Sequence, residues 1–176
     1  MNKLLTIPIP TFNRVIFLDQ QISWLVKAIN GFASECEIII SDNCSTDNTQ
    51  VTINKWQTIF DRTSFRTKNK DTSTTSVVAS ISHCFQSART EYVWVISDDD
   101  PIQKRTLGYV IKTLKNYAEL ALLILNFPWL YVGSGKLAHE CRFTVEDEEI
   151  VFDCKPLSEN YLHENFSSLG FMTAQV

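Results

Sequence analysis

The sequence predicts an α/β fold on a mainly parallel sheet, and three observations carry that reading. Short apolar runs alternate with segments of helical period through the first two-thirds of the chain, the pattern of βα units. The run EIIIS at Glu37–Ser41 is apolar on both faces, as a strand covered by helices on each side has to be. Polar clusters stand directly after three of the strands, at the edge where an open parallel sheet receives its ligands.

Taken in order, Leu4–Ile9 reads as the first strand. Leu18, Ile22, Leu25, Val26 and Ile29 recur at helical spacing, and the helix they mark ends near Asn30-Gly31. Glu37–Ser41 is the second strand. Val51 to Phe60 forms a second helix with Trp56, Ile59 and Phe60 on one face, and Ser64–Thr67 a short third strand. Val77, Val78, Ile81, Cys84, Phe85 and Ala88 mark an amphipathic helix capped within the Ser/Thr-rich stretch 72–76. Tyr92–Ile96 (YVWVI) is the clearest strand and runs straight into Ser97 and three aspartates. Pro101 stands where a first helical turn tolerates it. Leu107, Val110, Ile111, Leu114 and Tyr117 line the helix that follows, and Ala121–Phe127 supplies another strand.

Beyond Pro128 the pattern loosens. Gly133-Ser134-Gly135 reads as a hairpin turn, Arg142–Val145 and Ile150–Phe152 as short strands, and Leu157–Phe166 as a short helix. The chain reads as one domain over 1–176, regular to 128 and less so over 129–176. The apolar segment Gly170–Val176 leads to an expectation of further structure past it.

Composition narrows the function classes. A length of 176 residues gives one domain a real core, and a net charge of −4 with a pI near 5.4 offers no basic face to nucleic acid. Cys36, Cys44, Cys84, Cys141 and Cys154 make no CxxC pair and no zinc spacing, which fits reduced thiols in a cytoplasmic protein. Leu4–Ile9 is too short for a signal sequence, and Leu120–Val132 falls short of a membrane span. Peripheral contact at the inner face of a membrane, beside a lipid-linked substrate, stays open.

The three polar clusters are Thr11-Phe12-Asn13-Arg14, Asp42 to Thr49, and Asp98-Asp99-Asp100. Three adjacent carboxylates repel one another, and a hard divalent cation relieves that cost at a partly buried strand end. The plain alternative is a solvated acidic turn before a helix N-terminus. Position directly after YVWVI favours the metal. Asp42 ends a strand, where a carboxylate can accept from a nucleobase N–H or ribose hydroxyls, while Thr46 or Asp47 caps the next helix. Phe12 could pack on a base, with Thr11 and Asn13 hydrogen bonding, or the segment could simply be a capped helix start with Arg14 solvated.

Together IPIPTFNR (7–14), IIISDNCSTDNT (38–49) and YVWVISDDDPI (92–102) resemble the family 2 glycosyltransferases in order and spacing, over nearly the whole chain. The resemblance implies a GT-A (nucleotide-diphospho-sugar transferase) fold, a mainly parallel Rossmann-like sheet with helices on both faces. It implies a nucleotide-sugar-binding part over 1–128 and the start of an acceptor-side part over 129–176. Thr11 and Phe12 match residues that flank the nucleobase, and Asp42, with Asn43 beside it, matches the acidic contact to a pyrimidine. Asn13 and Arg14 complete the first motif. The triplet matches the DxD motif, with Asp98 and Asp99 toward the ribose and sugar and Asp100, then Asp99, as ligands of Mn2+ or Mg2+. The implied reaction is inverting transfer of a sugar from a UDP-, CDP- or GDP-linked donor to a glycan or lipid-linked acceptor. Within the family the chain is most similar to bacterial enzymes of surface-polysaccharide biosynthesis, the abequosyltransferase-like branch among them.

The chain departs from the family pattern in places. Arg89-Thr90-Glu91 stands where a glycine is common, and Ser80 or Ser82 where an Asn is. No carboxylate is a clear match for the catalytic base: Glu146–Glu149, Glu159 and Glu164 read as surface, so the base is expected beyond Val176. Two rivals remain at this point, a catalytically inactive nucleotide-sugar-binding module and a Mg2+-dependent phosphoryl or nucleotidyl transferase. The second lacks its GxxxxGK[ST] loop.

Overall fold

The computed structural model describes residues 3–60, 65–69, 76–100, 102–125, 129–130, 136–139 and 171–174. The elements are β1 (Leu5–Thr11), α1 (Val15–Ile29), β2 (Cys36–Asp42), α2 (Thr49–Ile59), β3 (Phe65–Asn69), α3 (Val77–Ser87), β4 (Tyr92–Trp94), α4 (Lys104–Asn116), β5 (Leu122–Ile124), β6 (Trp129–Leu130), β7 (Leu137–His139) and β8 (Phe171–Ala174). They fall into two compact units, Met1–Ala121 with Met172–Val176, and Leu122–Phe171.

In the first unit the strand order is β3-β2-β1-β4-β8. The pairings β3·β2, β2·β1 and β1·β4 are parallel, and β8 runs antiparallel to β4 with Tyr92 opposite Ala174. Helix α1 packs beside α2 and α4, and α3 packs against β1 and β2. The core is the apolar content of the central strands and helices: Leu5, Ile7, Ile9, Ile38, Ile39, Ile40, Leu18, Ile22, Leu25 and Leu107 are fully buried. Each such side chain contributes about 1.5–3 kcal/mol relative to exposure. Helix α1 ends where the chain turns left-handed at Gly31 (φ 98°), a conformation that costs glycine little.

Strand β4 is shorter than the YVWVI run suggests, and Pro8 explains it. The carbonyl of Pro8 faces β4 and accepts from Ile96 N–H at 3.2 Å, but its ring has no N–H to return on that side. The ladder therefore closes at Trp94, and the chain is released toward the aspartates. Helix α2 also differs: Ile53 and Thr49 are its buried residues, whereas Ile59 is exposed. Trp56 is held instead by its indole N–H, which donates to Asp19 Oδ1 at 2.6 Å. The cap of α3 is Ser76, whose Oγ accepts from Ala79 N–H at 3.2 Å.

In the second unit β6 and β7 form an antiparallel pair with Trp129 opposite His139. Residues 133–135, 142–145, 150–152 and 157–166, read above as a turn, two strands and a helix, lie outside the described residues, as does Pro101.

Candidate functional site

Parallel pairing brings the three polar clusters to one edge. Thr11 and Asp42 are opposite each other at the carboxyl ends of β1 and β2, and Asp98 follows β4 on the other side of β1. All three are almost wholly buried, Asp98 to 3% exposure. Thr11 Oγ1 donates to Asp98 Oδ2 at 2.9 Å, and the Asn43 N–H donates to the Thr11 carbonyl at 3.0 Å. Asp42 Oδ1 accepts from the Ser45 N–H at 3.1 Å and from Ser45 Oγ at 2.5 Å, which folds the loop back over the strand end.

The loops after β1 and β2 are tied to each other. Asn13 has φ 53°, a left-handed conformation that Asn tolerates better than most residues. Its N–H donates to Ser45 Oγ at 2.9 Å, and its Oδ1 accepts from Thr46 N–H at 2.7 Å. The N-cap of α2 is Asn48 rather than the expected Thr46 or Asp47, and it makes no side-chain cap bond; Asp47, one residue before it, instead ties two helix starts. Its Oδ1 accepts from Thr49 N–H at 3.0 Å and its Oδ2 from Val15 N–H at 3.2 Å, so one carboxylate serves the first residues of both α1 and α2. These bonds, led by the Thr49 hydroxyl, hold its pKa below the usual carboxylate value. Phe12 stands out from this rim, 46% exposed.

Arg14 is not a solvated helix-start residue. Its Nε pairs with Asp98 Oδ1 at 2.9 Å, its Nη2 pairs with Asp99 Oδ2, and the guanidinium lies 4.5 Å from the ring centroid of Phe17. Ser97 Oγ donates to the other oxygen of Asp99. Burial pushes the Asp98 carboxyl above its ordinary pKa despite the Thr11 hydrogen bond and the Arg14 charge. For Asp99 burial acts in the same direction, but the Ser97 hydroxyl and Arg14 together outweigh it and the pKa falls. Asp100 reaches solvent at the rim, yet its surroundings desolvate it enough to raise its pKa, with the Asp99 charge adding to the rise.

Asp100 is held by its backbone and one oxygen. Its Oδ2 accepts from Ser97 N–H at 3.2 Å, and its carbonyl accepts from Gln21 Nε2 at 2.7 Å. Gln21 is fully buried, and its Oε1 has no hydrogen-bond partner among the described residues. An empty buried acceptor of this kind costs about 1–3 kcal/mol.

Among the described residues no three His, Cys, Asp or Glu side chains converge into a metal cage. Asp98 has both oxygens engaged by Thr11 and Arg14, and Asp99 has both engaged by Ser97 and Arg14. Asp100 differs: no hydrogen bond or ion pair among the described residues reaches its Oδ1. The donor set thus fits a hard divalent ion held by one carboxylate together with phosphate oxygens and water, rather than an all-protein site.

Three participants were not singled out from the sequence. Ser97 carries no signal beyond adjacency to Asp98, and Ser45 none beyond its place in the Asp42–Thr49 cluster. Gln21 does carry one, since it interrupts the apolar stripe Leu18, Ile22, Leu25 of α1 with a polar residue at a buried position.

Residues 6–126 match the model of glycosyl transferase family 2. The abequosyltransferase RfbV of Salmonella typhimurium is 27% identical over 172 residues, 95% of this chain and 49% of that protein. The chain therefore spans about half the length of this curated relative. Among solved structures, Staphylococcus aureus TarS 1–349 in complex with UDP-GlcNAc is similar with a TM-score of 0.63 and 21% identity, over 76% of this chain and 36% of that one. The Pyrobaculum calidifontis mannosyltransferase PcManGT, in complex with GDP-Man and Mn2+, is similar with a TM-score of 0.55 and 17% identity, over 65% and 33%. The fold is thus the GT-A type expected from the motifs. With a family model matched across its strand-end motifs, the chain belongs to glycosyl transferase family 2.

Proposed function

We propose that this chain carries the donor site of a transferase that moves a sugar from a nucleoside diphosphate to a glycan or lipid-linked acceptor in surface-polysaccharide biosynthesis. The supporting observation is the convergence of Thr11, Asp42 and Asp98, buried and polar, at the carboxyl ends of adjacent parallel strands. The base and ribose would lie along Phe12, Thr11, Asn13, Asp42 and Asn43, with Asp98 and Asp99 toward the ribose and sugar. Arg14 would supply positive charge to the diphosphate end as well as holding the two carboxylates. Asp100 would hold a Mn2+ or Mg2+ ion, with Asp99 a second ligand once it releases Ser97 or Arg14. That ion would supply charge neutralisation of the departing diphosphate.

The relatives support the donor class: the TarS structure holds UDP-GlcNAc, and the mannosyltransferase holds GDP-Man and Mn2+. Inversion at the anomeric carbon needs a carboxylate base at the acceptor hydroxyl, for which residues 1–176 offer no clear match. On this reading the reaction takes place in the cytoplasm, at the inner face of the membrane if the acceptor is lipid-linked. Among the described residues no helix is long and apolar enough to cross a membrane.

Calorimetry with UDP-, CDP- and GDP-sugars, with and without Mn2+, tests this reading. The expected result is binding to one nucleotide class, strengthened by Mn2+ and no longer strengthened in Asp100→Ala. Failure to bind any of the three would overturn it.

A further inference from the structure

Helix α1 meets the acidic turn twice, through Arg14 at its N-cap and Gln21 seven residues on. Seven residues are about two helical turns, roughly 10 Å along the axis and close to the same face. Arg14 takes the carboxylates of Asp98 and Asp99, whereas Gln21 takes the main-chain carbonyl of Asp100. Among the described residues the other two bonds of Asp100 both go to Ser97, inside the same turn. The Gln21 bond is thus the tie that fixes Asp100 to an element outside its own turn.

We infer that Gln21 is a positioning residue for Asp100, setting where that carboxylate stands for the divalent ion. This rests on the assignment of Asp100 as the metal ligand. Packing alone does not account for Gln21. Leucine would extend the stripe of Leu18, Ile22 and Leu25 without burying an amide whose oxygen has no partner. What the amide adds is the 2.7 Å bond to the Asp100 carbonyl. Partners that orient a metal ligand without touching the metal typically set affinity by roughly 10–100-fold.

The test compares wild type, Gln21→Leu, Gln21→Met and Asp100→Ala by electron paramagnetic resonance of free Mn2+, titrated in the presence of UDP, CDP or GDP. Thermal unfolding and metal-free nucleotide affinity are measured alongside, with amide exchange at Asp100. The expected result is a Gln21→Leu protein that melts near wild type and binds nucleotide without metal equally well. It should lose roughly 10-fold or more in Mn2+ affinity and exchange faster at Asp100. Gln21→Met serves the same purpose if the leucine variant does not fold. A folded variant with wild-type Mn2+ affinity, beside a clear loss in Asp100→Ala, overturns the role of Gln21 alone. Wild type that binds no Mn2+ with any of the three nucleotides overturns the metal reading and this role with it. A parallel loss of stability and of both affinities would make Gln21 merely structural.

Discussion

Thr11 Oγ1 reaches across from the end of β1 to Asp98 Oδ2 at 2.9 Å, a buried bond between residues 87 apart in sequence. Thr11→Val keeps the shape and leaves one oxygen of a buried carboxylate without its donor. Such losses cost about 1–3 kcal/mol. Urea unfolding should show that loss for Thr11→Val, whereas Thr11→Ser should retain most of the stability.

Arg14 stabilises the same carboxylate by charge. Its side chain is 40% exposed while that of Asp98 is 4% exposed, so the pair lies between a surface bridge and a buried one. Arg14→Met should therefore cost about 1–3 kcal/mol, less than the loss of a fully buried partner. Arg14→Lys should recover little of it, because one ammonium cannot serve two carboxylates as the guanidinium fork does. Equal stability of the Lys variant and wild type would contradict the two-carboxylate geometry.

Asp100 gives a pH-dependent prediction of opposite sign. Its folded-state pKa is raised, so the folded protein holds this proton more tightly than the unfolded chain. The stabilising contribution is full below the unfolded pKa and is lost as pH rises through the folded one. At pH 7, Asp100→Asn should therefore melt slightly higher than wild type. The gain should vanish near pH 3. The same substitution should weaken Mn2+ binding, so stability and metal affinity move in opposite directions.

The thiols offer a footprint of the site. Cys36 and Cys84 are fully buried, and burial, with the Glu35 charge, pushes the Cys36 thiol up to about 12. Cys44 is half-buried in the loop after Asp42, with φ 64°. Alkylation at pH 8 followed by peptide mass spectrometry should modify Cys44 and spare Cys36 and Cys84. A bound nucleotide should slow the reaction at Cys44. Unchanged labelling at saturating nucleotide would place the ligand elsewhere.

Much of this was legible in the sequence, because burial on one or both faces leaves a periodic trace. The isoleucines of β2 and the stripe Leu107, Val110, Ile111, Leu114 of α4 were read correctly and are buried. The start of α1 is legible from the Thr11–Arg14 segment rather than from the apolar stripe, since Ile16 and Phe17 are apolar but exposed. Strand β8 left no trace in the sequence: FMTA has no period, and its pairing to β4 joins residues about eighty apart. The site was legible as three clusters but not as a network. The pairing of Arg14 with Asp98 and Asp99 spans more than eighty residues, and no local pattern records it.

The double duty of Asp47 bears on how donor preference can change. Its carboxylate holds the starts of α1 and α2 at once, and Asn13 bridges the same two loops. A substitution at either residue is felt in both loops, so neither can drift alone. Phe12, by contrast, projects from this braced frame into solvent and bears none of its hydrogen-bonded load. On the proposed donor-site reading, position 12 is accordingly where natural variation or directed evolution can retune the nucleobase while the frame is inherited unchanged.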